Sequence, residues 1–468
     1  MSGVWKLCLG AALCAAPEAF AADDPPPPKV EKADTSAQIE AGKSYAIPAA
    51  EIAGFDYLLN RFNRRHYGSD YASNLSTARR NLHSSLVVDN DEFKTNQLGH
   101  PYQGAMYHGF ARSAGLGYWE SAFYTFAGSL AWETAGETTL PSRNDQIASG
   151  IGGTFLGESL FRMASLVLEQ GSNAPSFLRE TTAAFISPPT AFNRVAFGDR
   201  FKAIMSSNNP EYYSRMALAV SATAQDQRST SGNVKRNELL GDYSIDYGLP
   251  GKPGYHYDRP FDYFTFQATA STGSAIENVM THGLLLGTDY DLGDRYRGIW
   301  GLYGSYDYIS PQTFRVSSTA LSLGSTGQLW LTRDIALQGT ALAGMGYAAV
   351  GTLNGPQDER SYHYGVAPQA LLATRLIFGD RASLDVTARE YFVSGIASGT
   401  TGGRDNIIRA DIALTMRVRK AHAVALKYLW NRRDATFAGL GDRTQTRATI
   451  GLYYTFLGHD RFGALDWR

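Results

Sequence analysis

"RATIGLYYTF", residues Arg447 to Phe456, changes character at every position. Ala448, Ile450, Leu452, Tyr454 and Phe456 fall on one side of an extended chain. Arg447, Thr449, Gly451, Tyr453 and Thr455 fall on the other, because successive side chains of a strand point to opposite faces. One such strand also suits a soluble sandwich, but the pattern recurs toward the N-terminus. From Asp405 to Arg419, Ile408, Ala410, Ile412, Leu414, Met416 and Val418 form one face, opposed by Arg409, Asp411, Thr415, Arg417 and Arg419. From Ala382 to Arg389, Asp385, Thr387 and Arg389 oppose Leu384, Val386 and Ala388. Charges on the polar face of successive strands suit a barrel with a polar lumen and a lipid-facing exterior. The competing architecture is a soluble periplasmic protein ending in an antiparallel sandwich.

The connections favour the barrel. "TRD" (332–334), "GD" (379–380) and "RK" (419–420) are tight, and longer segments fall between them at 353–361, 395–405 and 434–443. Short turns at one end and long loops at the other are the outer-membrane pattern. About twelve strands fit between residues 212 and 457, within a barrel region at 205–458; "LPGKPGYHYDRPF" (249–261) is long for a turn. Aromatic residues near strand ends predict interfacial girdles: Tyr303, Tyr306 and Tyr308, Tyr391 and Phe392, Tyr428 and Trp430, and Tyr453, Tyr454 and Phe456. "TIGLYYTF" (449–456) also has the spacing of the terminal signal read by the barrel assembly machinery. Residues 459–468 form a short tail beyond it, expected to return to the periplasm.

The start of the chain explains how it reaches that membrane. Residues 1–22 hold Lys6, the apolar run "LCLGAALCAA" and the ending "AFA", which read as a secretory signal peptide. Both cysteines lie inside it, so the mature chain has no disulfide. Residues 23–47, "DDPPPPKVEKADTSAQ" onward, read as an extended proline-rich linker. A net charge of −1 gives no electrostatic reason for a nucleic-acid partner. The expected partners are outer-membrane lipids and, during biogenesis, the assembly machinery.

Residues 48–200 read differently, as an all-helical domain. The periodicity changes to helical from Pro48 to about Arg65 and again over 97–170, as about three helices. Ala127, Ala131 and Ala135 form one small-residue stripe, and Ser149, Gly153 and Gly157 another, predicting a close helical hairpin. Ser142 with Asp145 is a variant capping box. Glu158 and Arg162 form a favourable i,i+4 pair. Glu133 and Glu137, one turn apart, suggest an acid pair or a metal site. Asn96, His100, Arg112, Ser113, Glu120, Asn144 and Asp145 complete a dense polar set among apolar helices. Buried polar groups of this kind must bond to one another. No nucleophile elbow, Walker loop or zinc-protease motif is present, and no motif calls for a cofactor.

"GFDYLLNRFNRR", "NQLGHPYQGAMYHGFARSAGLGYWESAFYTFAGSLAWE" and "PSRNDQIASGIGGTFLGES" resemble a Gram-negative envelope family, the domain of unknown function numbered 3943. The resemblance covers about residues 45–200. It implies a helical domain ahead of a barrel-like region and carries no reaction or residue role.

Two functions are open to such a chain. One is an outer-membrane barrel with a helical cap, placed in the periplasm or the lumen, serving envelope structure or small-solute passage. Arg409, Asp411 and Arg417 would then line the lumen. The other is an envelope enzyme acting on a lipid or another amphiphile. There His100 would be the base, oriented by Glu120 or Asp145, with Ser113 as nucleophile and Glu133 with Glu137 as an acid or metal pair.

Overall fold

The structure is a computed structural model. It describes residues 35–89, 91–170, 174–227, 234–311, 314–351, 359–395, 403–437 and 441–466. The signal peptide expected at 1–22 and the proline-rich start of the linker lie outside them. The chain divides between Ser207 and Asn208 into two compact units.

The C-terminal unit is a closed antiparallel barrel. Its strands are β1 (Tyr212–Gln227), β2 (Val234–Tyr247), β3 (Phe264–Ser271), β4 (Asn278–Leu292), β5 (Tyr296–Ile309) and β6 (Val316–Trp330). They continue as β7 (Ile335–Gly351), β8 (Tyr362–Phe378), β9 (Ala382–Ser394), β10 (Gly403–Arg419), β11 (His422–Phe437) and β12 (Gly441–Leu457). Each strand pairs with its sequence neighbours, and β12 returns to β1 with Val220 opposite Leu452. Closure leaves no unpaired edge.

The alternation read from the sequence sets the faces. On β12, Ile450, Leu452 and Tyr454 are exposed outward while Arg447, Thr449 and Thr455 are buried. On β10, Ile412, Leu414, Met416 and Val418 face outward, and Arg409, Ala413 and Thr415 inward. The short turns at 331–334, 379–381 and 420–421 all lie at one end. One connection differs from expectation. The loop placed at 434–443 is mostly strand, because Thr444 donates to Asp434 across β11 and β12 at 2.8 Å and extends the ladder.

The aromatic girdle is also smaller than expected. Phe392, Tyr428 and Tyr454 are exposed, but Tyr303, Tyr306, Tyr308 and Tyr391 are buried. Tyr303 has the inward phase of β5 and packs edge-on against Tyr263, with ring centroids 6.1 Å apart. Tyr391 likewise points inward and donates to Asp307 at 2.7 Å.

Three layers fill the lumen. At the turn end, Phe462, Ala464 and Leu465 of the C-terminal tail pack with Tyr213, Leu249, Trp330 and Ile377. Gln328 and Trp330 donate to the Leu465 carbonyl at 2.8 and 2.9 Å, and Gln338 donates to that of Gly463 at 2.6 Å. The tail therefore enters the barrel rather than leaving it for the periplasm: burial of two large apolar side chains outweighs solvation of a short polar segment. At the loop end, Met280, Phe314, Val316, Val350, Val393 and Ile407 form an apolar cluster. Between them lies a charged layer.

The N-terminal unit contains α1 (Thr35–Gly42), α2 (Ala46–Tyr67), α3 (Leu75–Leu82), α4 (His100–Ser113), α5 (Tyr118–Ala131), α6 (Gly153–Glu169), α7 (Phe177–Ile186) and α8 (Pro188–Ala196). α1 falls within residues expected to be linker. α6 is the central helix and is buried over nearly its whole length. Its small stripe does not meet the alanines of α5. A Cβ on Gly153 would stand 2.7 Å from the Cα of Gly104, and one on Gly157 would stand 2.8 Å from the Cβ of His108. The stripe thus packs on α4, where Gly104 and Ala105 also lack bulk.

One charge cluster ties these two helices together. Glu158 accepts from Arg112 Nε and Arg162 Nε at 2.8 Å each and lies 3.0 Å from His108 Nε2. Although burial opposes it, the two guanidiniums and His108 hold the Glu158 carboxyl well below the usual carboxylate range. Burial pushes His108 down.

Candidate functional site

Among the described residues, three π-helical turns interrupt the helical unit: Thr95–Gly99 before α4, Trp132–Gly136 after α5, and Gln146–Gly152 before α6. A π turn adds a residue and rotates the helix beyond it, and such turns concentrate at functional sites. Here each sets one side chain. His100 directly follows the first turn, Glu133 lies in the second, and Asp145 directly precedes the third. The ligating atoms of these three residues all lie within 4.8 Å of one another. His100 is 6% exposed, Glu133 3% and Asp145 2%.

The surroundings orient the carboxylates. The Ser142 amide donates to Glu133 Oε2 at 2.8 Å, and Asn144 Nδ2 donates to Asp145 Oδ1 at 3.0 Å. Asn144 Oδ1 accepts from Ser142 Oγ and from the Asp89 amide, both at 2.8 Å, while Asn96 donates to Asp89 at 2.9 Å. Asn81 donates to the carbonyls of Thr139 at 2.8 Å and Glu137 at 3.3 Å, fixing the chain that leaves the second π turn. Burial pushes the Glu133 and Asp145 carboxyls well up. Asp145 adds its charge at Glu133, and Asp89 adds its own at Asp145.

The sequence grouped these residues differently. The helix ends at Glu137: its backbone is extended, and its carboxylate accepts from Trp132 Nε1 at 2.8 Å and Thr139 Oγ1 at 2.9 Å, while its charge still acts on Glu133. Burial pushes the Glu137 carboxyl up to about 7, with His100 opposing. Ser113 lies on the same helix as His100, thirteen residues on, which is about 20 Å of axis. Its hydroxyl donates to Gly109 and accepts from Asn193 at 2.7 Å. Glu120 is a helix cap, accepting from the Gly117 amide at 2.6 Å and from Tyr45 at 2.7 Å. Arg112 belongs to the Glu158 cluster. A base, nucleophile and orienting acid are therefore not assembled from His100, Ser113 and Glu120.

The barrel holds the other candidates. A cavity of about 190 Å³ in its charged layer is lined by Arg215, Asp246, Arg375, Asp385, Arg409 and Asp411, among others. Arg375 crosses the lumen, 2.6 Å from Asp385 and 2.9 Å from Asp246. Arg409 donates to Asn431 at 3.1 Å, and Asp411 lies 3.7 Å from Lys427. Arg417 instead binds the tail, donating to the carbonyls of His459, at 3.1 Å, and Asp460.

Residues 85–189 match the family described as Domain of unknown function (DUF3943). The DUF3943 region contains His100, Glu133 and Asp145, the three π turns and the Glu158 cluster. No curated protein matches the chain. Among solved structures, an outer membrane channel from Pseudomonas putida F1 is similar at 11% identity, over 53% of this chain and 96% of that one, with a TM-score of 0.28. The translocator domain of the autotransporter NalP from Neisseria meningitidis is 15% identical over 57% of this chain and 97% of that one, with a TM-score of 0.23. The NanC porin is 8% identical over 51% and 98%, with a TM-score of 0.25.

The sequence missed the π turns, which nothing local marks, so Glu133 was not placed with His100, although Asp145 was already a candidate to orient that histidine. The capping spacing of Ser142 and Asp145 was the one usable signal: Ser142 Oγ does accept from the Asp145 amide at 3.1 Å, which fixes Asp145 at a helix start.

Proposed function

We propose that this protein is an integral outer-membrane β-barrel that passes small polar solutes, with passage shut at the turn end by its own C-terminal tail. The observation that carries this reading is the charged cavity inside a wall of outward apolar side chains. A soluble protein has no use for rows of exposed Leu, Ile, Val and Met on successive strands, whereas hydrocarbon requires them. Fixed charges of both signs on the inner wall suit hydrated solutes. The tail is held mostly by side-chain bonds to its own carbonyls, so it can leave without breaking the barrel ladder. β12 carries the assembly signature at its end and closes the barrel against β1, which supports folding by the assembly machinery.

Single-channel recording tests this. The full chain should be silent or open briefly, and a chain truncated after Gly458 that also carries Phe314→Ala in the loop-end cluster should show sustained conductance steps. A truncated Phe314→Ala chain that keeps the heat-modifiable gel mobility of a folded barrel, yet stays silent, overturns passage and leaves a structural role.

A further inference from the structure

We propose that His100, Glu133 and Asp145 bind a first-row divalent cation. The donor set is one imidazole nitrogen and two carboxylate oxygens, already gathered within 4.8 Å. Atoms bound to one ion at about 2.0–2.2 Å stand roughly 3–4 Å apart. A small adjustment of three side chains therefore converts this cluster into a coordination shell. Mixed nitrogen and oxygen donors suit Zn²⁺, Mn²⁺ or Fe²⁺ better than Ca²⁺ or Mg²⁺, which favour oxygen alone.

Two independent observations point to a ligand. The first is His100 itself. It is 6% exposed, yet among the described residues no hydrogen bond or ion pair reaches its ring. A cation in the cluster would give this ring a partner among the two carboxylates that already stand beside it. The second is the backbone. Three separate π turns, each an uncommon distortion, deliver the three donors to one place. The Ser142 amide and Asn144 then hold the two carboxylates, as outer-shell partners hold metal ligands.

The competing account is two carboxyls sharing a proton, which their burial also favours. The two accounts differ in whether metal adds stability. The ion would staple the starts of α4 and α6 to the end of α5, so the apo protein should be the less stable form.

The test uses the full chain in detergent, stripped with EDTA and dialysed against micromolar Zn²⁺. The variants Glu133→Gln and Glu133→Gln/Asp145→Asn keep shape and remove charge, so they should fold, and Glu120→Gln is an exposed control. Elemental analysis should find about one more Zn²⁺ per chain in wild type and the control than in the double variant. Zn²⁺ should raise the melting temperature of wild type and leave that of the double variant unchanged. Equal Zn²⁺ content in all four proteins, or a wild-type melting temperature indifferent to Zn²⁺ and EDTA, overturns the proposal. If the double variant fails to fold, the same comparison is made with Glu133→Gln alone.

Discussion

The Arg417 guanidinium lies 5.2 Å from the centre of the Phe462 ring and donates to the carbonyl of His459 at 3.1 Å. A strand residue thus holds the tail by charge and by the face of an aromatic ring. Charge-assisted bonds of this kind are worth about 1.5–3 kcal/mol each when buried and less at a partly wet rim. Arg417→Ala should therefore raise the undocked fraction of the tail by roughly ten- to a hundredfold. The measure is the rate of thiol labelling in an Ala464→Cys variant, since Ala464 is buried only while the tail is docked. An unchanged rate would show that Arg417 does not hold the tail.

Glu158 neutralises two buried arginines at once. Glu158→Gln should destabilise the helical unit by about 3–5 kcal/mol, because it leaves uncompensated charge. The pH dependence has a definite sign. The Glu158 carboxyl is depressed in the folded state, so its contribution is present above its unfolded value near 4.5 and fades as pH falls below it. Urea unfolding, monitored by helical circular dichroism, should show wild type approaching the variant in acid.

Gly104 and Gly54 predict opposite results for one substitution. A Cβ on Gly104 would stand 2.0 Å from the Ser149 carbonyl oxygen, while one on Gly54, in α2, meets nothing within 4 Å. Gly104→Ala should cost about 1–3 kcal/mol or more through overpacking. Gly54→Ala should gain about 0.5–1 kcal/mol from reduced backbone entropy. Thermal melts of the two variants should shift in opposite directions.

Two carboxyls outside the candidate metal cluster predict a loss of stability in base. Burial pushes Glu51 up to about 8 and Asp56 up to about 7, with bonds from Asn193 and from Tyr107 and Gln103 only partly offsetting it. The folded state holds these protons more tightly than the unfolded state. Their contribution is therefore full below the ordinary values of 4.5 and 3.8 and is lost as pH rises toward 8. The double variant Glu51→Gln/Asp56→Asn should melt with wild type near pH 3, below both ordinary values. Above pH 8 it should melt higher by about 2–8 °C. Identical pH profiles would sink this account.

By itself the sequence determined the barrel. Strand period, face polarity and turn positions are local, so Ile450, Leu452 and Tyr454 could be assigned outward and Arg447 and Thr449 inward from one decapeptide. The capping role of Ser142 and the pairing of Glu158 with Arg162 were legible for the same reason: each spans a single helical turn. Tertiary structure decided what depends on distance. The π turns brought His100 to Glu133 and Asp145, residues more than thirty positions away. Gly153 found α4 instead of α5 because close approach depends on which partner lacks bulk, and no pattern within one helix reports that. The tail turned inward because the lumen offered Trp330 and Gln328 to its apolar side chains and carbonyls. Periodicity describes an element's own faces; which surface each face meets is set by packing.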